Sequence, residues 1–272
     1  MNLKIVNVKR WVVLLTVAII FLPAALPLTQ AAACPAQGVP ITTSWRLSSD
    51  CTYSTAGENG IVLGASGITL DCKGHTITFT VTGPSSAIVV GRGYTGDTIQ
   101  NCLVSSSATY GIFAAFVSGL TLTGNSATSA LYAFYFVYVS NVVLTGNTAS
   151  GSPEGFYCYE YCYNMVFTGN TAQGNGNGFF FHSAVGGTLT SNKAIGNFGD
   201  GFFFDSASGQ FTLKSNKADS NSYGYYDDTT GAGTIALGNT YINNECSLNT
   251  SHGAYDETAG IYPAAMCVPT PS

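Results

Sequence analysis

The sequence predicts an all-β chain folded as a right-handed parallel β-helix, a solenoid of about 7–8 coils of 22–24 residues with a cap at each end. Three observations predict this fold. Two columns of residues recur with one shared period, short alternating strands lie within each period, and no long stretch after the N-terminus shows the 3.6-residue period of a helix.

The first column is an Asn followed by Ser, Thr or Lys and then Ala. It recurs at spacings of 22, 23, 22 and 24 residues, at Asn125, Asn147, Asn170, Asn192 and Asn216. We take Asn239 as a sixth member, and Cys102 as the residue in the same position one period earlier. Amides at equivalent corners can bond to the amides above and below them, so this column predicts a buried asparagine ladder.

The second column runs in parallel at spacings of 22, 22, 23, 23 and 23 residues, through Gly111, Ala133, Gly155, Gly178, Gly201 and Gly224. A recurring glycine indicates a positive φ or a close approach of two backbones. Apolar pairs two residues apart, such as Leu120 and Leu122, precede the Asn and indicate short strands. A coil of this size cannot bury its apolar side alone, so we expect each strand to pair with its counterpart one coil later.

We divide the chain into a signal peptide at 1–33, an N-terminal cap at 34–60, β-helix repeats at 61–243 and a C-terminal cap at 244–272. Lys4, Lys9 and Arg10 precede an apolar run that ends in three small residues at 31–33, which is the layout of a secretory signal. A signal anchor and lipidation of Cys34 are the alternatives. Export predicts a secreted, periplasmic or cell-surface location.

The charge balance excludes several classes of partner. After residue 33 the chain has six basic residues against fourteen acidic ones. An acidic surface argues against binding to nucleic acid or to anionic lipid. We therefore expect no nucleic-acid partner, and no membrane contact beyond the signal segment.

All eight cysteines follow residue 33, and an even number in an exported chain predicts disulfides. Cys72 and Cys102 fall at matching corners of successive coils, and the remaining pairs would be Cys34 with Cys51, Cys158 with Cys162, and Cys246 with Cys267. The Cys158 and Cys162 pair could instead form half of a metal site, but no second pair of Cys or His accompanies it. We predict neither a metal nor a cofactor.

The strand after each glycine predicts an outward row of aromatic side chains. If the first and third residues after the glycine point inward, the second faces outward. We call these outward residues the aromatic file: Phe113, Tyr135, Tyr157, Phe180, Phe203 and Tyr226. Aromatic faces beside carboxylates and amides suit sugar rings. The predicted ligand-binding residues are Tyr135, Tyr157, Tyr159, Phe180, His182, Phe203, Asp205 and Tyr226.

The segment from Gly67 to Ile77, with the sequence GITLDCKGHTI and followed by the two columns, resembles the opening of pectate-lyase-like parallel β-helix proteins. The pattern is most similar to the NosD-like branch, which is linked to carbohydrate binding and sugar hydrolysis. The resemblance covers about Ile61 to Asn243. It implies the fold, whereas the activity has to be argued from the site.

The sequence favours an exported protein that binds a polysaccharide or another surface partner along the aromatic file. One alternative is a polysaccharide hydrolase or lyase that uses Asp205 and Asp228, which we expect one coil apart. Another is a scaffold without a ligand, in which self-association covers the aromatic rings. We expect binding rather than catalysis, because acids in turns of a solenoid are ordinarily solvated surface groups.

Overall fold

The structure, a computed structural model, describes residues 30–229, 238–256 and 266–269, and every regular element in these ranges is a β-strand. The strands pair in parallel with their counterparts one coil later, so the predicted solenoid is confirmed. Within the same ranges, no helix is long and apolar enough to span a membrane. Most of the predicted signal peptide lies outside the described residues.

Each coil has three faces. The first face consists of β2 (Pro40–Ile41), β5 (Ile61–Leu63), β8 (Ser86–Val90), β11 (Tyr110–Ala115), β14 (Tyr132–Val137), the first halves of β17 (Glu154–Thr168) and β19 (Asn177–Thr190), β21 (Phe202–Phe204), β24 (Tyr223–Asp227) and β27 (His252–Asp256).

The second face consists of β1 (Gln30–Ala32), β3 (Trp45–Leu47), β6 (Thr69–Asp71), β9 (Thr98–Gln100), β12 (Thr121–Thr123), β15 (Val143–Thr145), the second halves of β17 and β19, β22 (Gly209–Lys214) and β25 (Thr240–Ile242). The strands β17 and β19 run through the corner without a break. They join the first two faces into one 18-stranded sheet.

The third face is a separate 10-stranded sheet of β4 (Cys51–Tyr53), β7 (Thr76–Phe79), β10 (Leu103–Ser106), β13 (Ser126–Thr128), β16 (Thr148–Ser150), β18 (Thr171–Gln173), β20 (Lys193–Ile195), β23 (Lys217–Asp219), β26 (Glu245–Ser247) and β28 (Val268–Pro269). Paired strands also lie within 34–60 and 244–272, and the division of the chain into caps and repeats stays a prediction.

The predicted asparagine ladder is present and buried. Asn147 donates from Nδ2 to the Leu122 carbonyl at 2.9 Å and to Oδ1 of Asn170 at 3.0 Å. The backbone N–H of Asn147 donates to the same Oδ1 at 2.9 Å. The backbone N–H of Cys102 donates to Oδ1 of Asn125, so Cys102 does occupy the expected position.

The sixth member of the ladder was predicted wrongly. It is Asn244 rather than Asn239, because Asn216 donates to Oδ1 of Asn244 from both its backbone N–H and its Nδ2. The chain takes 28 residues to return to this corner, instead of the usual 22–24. Asn239 instead donates to the inward carboxylate of Asp227, which also accepts from the Tyr241 hydroxyl at 2.6 Å.

A second buried ladder runs five residues after the first. Oδ1 of Asn175 accepts from the backbone N–H of Ser152, and Asn175 donates from Nδ2 to Oδ1 of Asn197 at 3.1 Å. The ladder continues through Asn221 to Asn249. The two ladders flank the third-face strands β18, β20, β23 and β26 and hold their two corners.

The residue before each ladder position has a left-handed backbone, where Gly, Ser and Asn are the favoured types. Gly169 has φ 64° and Gly174 has φ 61°. The predicted glycine column has a different cause. A Cβ at Gly178 would lie 2.6 Å from the Gly201 carbonyl oxygen, so this column is set by the close approach of successive coils.

Large aromatic rings fill the core beneath the first face. Phe134, Phe156, Phe179, Phe202 and Tyr225 are buried and stack in sequence, with ring centroids 4.6–4.9 Å apart and interplanar angles of 4–12°. These residues are the first after each glycine or its Ala133 equivalent, so the predicted inward register is confirmed. The second residue after the glycine then points outward.

Three of the four predicted disulfides are present: Cys34–Cys51, Cys72–Cys102 and Cys246–Cys267. The fourth was predicted wrongly, since Cys158 and Cys162 are free and buried. The two cysteines lie on the single strand β17, and Sγ of Cys162 points to the Phe136 carbonyl oxygen at 3.6 Å instead of forming a bridge. Burial, with the neighbouring Cys162, raises the pKa of the Cys158 thiol.

Candidate functional site: the outer aromatic surface

The aromatic file lies on the outer side of the first face, in register across six strands. Its rings are half-buried, because each ring packs against the next. The Phe180 centroid is 4.7 Å from that of Tyr157 and 4.6 Å from that of Phe203. The file is therefore a packed surface layer whose ring edges reach solvent.

Two further tyrosines widen this layer on one side. Tyr110 and Tyr132 precede the glycine column and stack on each other at 5.6 Å. Tyr110 also contacts Tyr135 at 4.9 Å, and Tyr132 stacks on Tyr157 at 5.4 Å. Burial is the main cause that raises the pKa values of Tyr135 and Tyr157, so both hydroxyls stay protonated and can donate hydrogen bonds.

A row of two acids and an amide continues the column of Tyr110 and Tyr132. Glu154 accepts a hydrogen bond from Nδ2 of Asn177 at 3.1 Å, and Oδ1 of Asn177 accepts one from the Asp200 backbone N–H at 2.9 Å. Burial raises the pKa of Glu154 to about 7, against the opposing effect of the Asn177 hydrogen bond, and the charge of Asp200 adds to the rise. Burial also raises the pKa of Asp200 to about 6.

This row makes stability depend on pH. A carboxyl whose folded pKa is raised stabilises the fold below its unfolded pKa, and this stability is lost as the pH rises through the folded pKa. We expect the double variant Glu154→Gln/Asp200→Asn to have a higher thermal midpoint than the wild type at pH 8. The difference should largely vanish at pH 4, and thermal unfolding followed by circular dichroism measures it.

The exposed acid Glu58 supplies the control for that measurement. The change in thermal midpoint between pH 4 and pH 8 should be the same for Glu58→Gln as for the wild type. An equal gain for the double variant at pH 4 and pH 8 would contradict the assignment, because it would show that the substitutions stabilise by packing alone.

The predicted residues on the other side of the file also lie together. Tyr159 stacks on the His182 ring at 5.0 Å, and Nδ1 of His182 lies 2.5 Å from Oδ2 of Asp205. Asp205 also accepts from the Ser183 N–H, the Ala207 N–H and the Ser208 hydroxyl, so its carboxylate holds a turn. The backbone N–H of Asp228 donates to the Phe204 carbonyl, which places Asp205 and Asp228 on adjacent coils.

Sequence reasoning missed a second row of rings at the corner between the first two faces, which we call the corner stack: Phe116, Tyr138 and Tyr161. Successive centroids are 4.6 and 4.9 Å apart. The side chains are 40%, 40% and 49% exposed, and their φ angles are 57°, 54° and 53°. The Arg92 guanidinium covers the outer Phe116 ring at 3.8 Å. The signal was present in the sequence, as aromatic residues 22 and 23 positions apart.

A family model described as "Right handed beta helix region" matches residues 86–246. The chain belongs to the right-handed beta helix family. The match begins at β8 and ends at β26, so it spans the aromatic file, the first ladder and the corner stack. No curated protein sequence matches this right-handed beta helix protein.

Solved structures of similar fold include enzymes named for alginate and pectate. A point mutant of the periplasmic alginate epimerase AlgG has a TM-score of 0.55 and 12% identity, over 85% of this chain and 74% of that one. AlgG without the mutation has a TM-score of 0.51 and 15% identity, over 82% of this chain and 62% of that one. Pectate lyase Pel9A has a TM-score of 0.49 and 18% identity, over 80% of this chain and 66% of that one. At these identities the likeness to AlgG shows the fold.

The outer surface of the first face of this right-handed beta helix protein is predominantly acidic. The described strands of the first face contain the outward carboxylate of Glu154 and no Lys or Arg. Beside these strands lie the acids Asp200, Asp205 and Asp228 and the cation Arg92, which follows β8 and covers Phe116. In the described ranges, no group of three or more His, Cys, Asp or Glu side chains is arranged to hold a metal ion. The surface offers ring edges, hydroxyls, amides and acids.

Proposed function

We propose that this protein is an exported binding protein for an uncharged polysaccharide, which lies on the aromatic file and its flanks. The observation that carries the proposal is the layer of half-buried rings, bordered by tyrosine hydroxyls and by the row of Glu154, Asn177 and Asp200. Sugar rings present C–H faces for aromatic contact and hydroxyls for hydrogen bonds. The three disulfides support an exported location.

The charge supports an uncharged ligand rather than a polyuronate. A polymer with a carboxylate on each sugar would meet Glu154 and the acids beside the first face, which outnumber the one cation beside these strands, Arg92 over Phe116. An uncharged polymer has no such penalty. The name of the alginate epimerase AlgG supports a polysaccharide as the class of ligand. The acidic outer surface favours an uncharged polysaccharide within that class.

Alanine substitutions in the file test the proposal. Against arrayed xylan, glucomannan, β-1,3-glucan and β-1,4-glucan, we expect the wild type to bind at least one polymer, and Tyr157→Ala and Phe180→Ala each to raise its Kd about tenfold. That corresponds to about 1.4 kcal/mol, the size of one aromatic contact. Polygalacturonate serves as the charged comparison, and array binding followed by calorimetry gives the affinities.

The exposed Leu103 on the third face supplies the matched control, since Leu103→Ala removes an apolar side chain on a different face from the file. Its Kd should stay unchanged. Failure of the wild type to bind any of the four uncharged polymers would overturn the proposal. If Tyr157→Ala then altered the molecular mass in solution, the scaffold that self-associates through its rings would be favoured.

The alternative of a hydrolase or lyase has less support from the geometry. The Asp205 carboxylate is engaged by His182 and by three donors of its own turn and the preceding coil. A carboxylate so engaged is positioned to hold the turn. Catalysis by Asp205 and Asp228 stays a prediction, and release of reducing sugar by the wild type but not by Asp205→Asn would support it.

A further inference from the structure

The strand β17 carries an unbroken row of outward tyrosines around the corner of the solenoid. Tyr157 and Tyr159 lie on the first face, Tyr161 lies at the corner, and Tyr163 follows it. The inward Cys158 and Cys162 alternate with them, and one extra residue between Tyr159 and Cys162 shifts the register at the corner. Alternate residues of an extended strand are about 6.6 Å apart, which sets the spacing of Tyr157 and Tyr159. The chain then turns the corner at Glu160 and Tyr161, which have φ values of 54° and 53°.

The two tyrosines beyond the file are the more exposed part of this row. Tyr161 is 49% exposed and Tyr163 is 42% exposed, whereas Tyr157 and Tyr159 are half-buried. Beside them lies a shallow groove of about 280 Å³ lined by Tyr138, Val139, Ser140, Tyr161 and Tyr163. Its lining combines ring surface with hydroxyl groups.

The backbone at this corner is evidence that the aromatic residues have a role beyond folding. A bulky residue at positive φ costs about 1–2 kcal/mol, and the left-handed corners of the third face use mostly Gly and Ser. The corner stack places Phe or Tyr there in three successive coils. These rings are also exposed, so neither backbone preference nor core packing explains them.

The two ends of the corner stack differ. Arg92 covers the outer face of Phe116. Tyr161 stacks on Tyr138, and in the next coil the small Ser183 lies opposite both Glu160 and Tyr161, because the register shifts there. Among the described residues, Tyr138 is the ring stacked on Tyr161, and the Tyr161 side chain is 49% exposed, so its surface is accessible to a further ring.

From these observations we infer that Tyr161, Tyr163 and the adjoining groove form an additional subsite for one uncharged sugar ring. A polysaccharide bound on the aromatic file would then also reach over the corner along β17, with its added sugar beside Tyr161 and Tyr163. Glu160, the acid at this corner, accepts a hydrogen bond from the Tyr138 hydroxyl at 3.1 Å. This inference rests on the proposed function, since it extends the same binding surface.

Substitution by asparagine tests the subsite without adding backbone strain, because asparagine tolerates positive φ. The probe is a size series, from two to six sugars, made from whichever of the four arrayed polymers the wild type binds. We expect Tyr161→Asn to raise the Kd of the hexasaccharide about tenfold and to leave the disaccharide unchanged. Calorimetry measures both, and the thermal midpoint of the variant should be no lower than that of the wild type.

Phe116→Asn is the matched control, because it makes the same change in the same column two coils away, where φ is 57°. It should leave every affinity unchanged. An unchanged hexasaccharide Kd for Tyr161→Asn, or an equal loss for Phe116→Asn, would overturn the inference while Tyr157→Ala still weakens binding. If the wild type binds none of the four polymers, the proposed function fails and the subsite fails with it.

Discussion

Asn170→Ala is expected to lower the free energy of unfolding by about 4 kcal/mol. Oδ1 of Asn170 accepts from the backbone N–H and the Nδ2 of Asn147, and its own Nδ2 donates to the Leu144 carbonyl at 3.0 Å. Nδ2 of Asn170 also donates to Oδ1 of Asn192 at 2.9 Å, and the side chain is fully buried, so all four hydrogen bonds would be lost without replacement by water. A buried polar group left unpaired costs roughly 1–3 kcal/mol.

Urea denaturation followed by circular dichroism measures this loss as a lower midpoint. The control is Thr168→Ala, two residues earlier on the same coil, where the side chain is exposed and the expected change is within about 0.5 kcal/mol. Asn170→Asp should also destabilise, because a carboxylate cannot donate to Leu144. Equal midpoints for Asn170→Ala and Thr168→Ala would refute the view that the ladder stabilises the coils.

The fold could be predicted because the coils repeat one physical requirement. The corner before each of the third-face strands β18, β20 and β23 needs a left-handed residue followed by an inward amide, so the sequence repeats Asn170 at Asn192 and again at Asn216. A single marker of this kind is ambiguous, but a second column with the same period leaves little choice of architecture. The correct pairing of Cys72 with Cys102 follows from the same register.

The errors arose where the period changes or the strand bends. The 23-residue spacing predicts Asn239 at the ladder position, whereas the longer coil brings Asn244 there. Cys158 and Cys162 were paired by their nearness in sequence. Both side chains instead point into the core as free thiols, with a register shift of β17 between them.

The sequence predicts which way the side chains of the aromatic file point, but not how far they are buried, and it does not predict the corner stack. Alternation within a strand shows which residues point outward, and that placed Tyr157 and Phe180 on the surface. Alternation does not show how neighbouring rings cover one another, so the file is half-buried rather than open. The corner stack was missed because bulky aromatic residues are not expected at positive φ, as at Tyr138.

Phe179→Ala should be at least as damaging as the loss of Asn170, with an expected cost of about 4–5 kcal/mol. Phe179 is fully buried, and its ring stacks on Phe156 and on Phe202, each at 4.8 Å. The Phe179→Ala substitution would leave a cavity the size of one aromatic ring within a stack that runs through five coils. Removal of a buried Phe costs about 3–5 kcal/mol, and the two lost stacking contacts add to this.

Phe180→Ala is the matched comparison, because the two residues are neighbours on β19 and point to opposite sides of the sheet. The Phe180 ring is half-buried on the outer surface, so we expect a loss of only about 1–2 kcal/mol. Denaturation in urea would therefore separate the two variants by several kcal/mol in stability. In the binding assay, Phe180→Ala should raise the Kd more than Phe179→Ala does, because Phe180 lies on the proposed ligand surface and Phe179 lies beneath it. Equal stability losses for the two variants would mean that the inward and outward sides of β19 have been assigned wrongly, and the aromatic file with them.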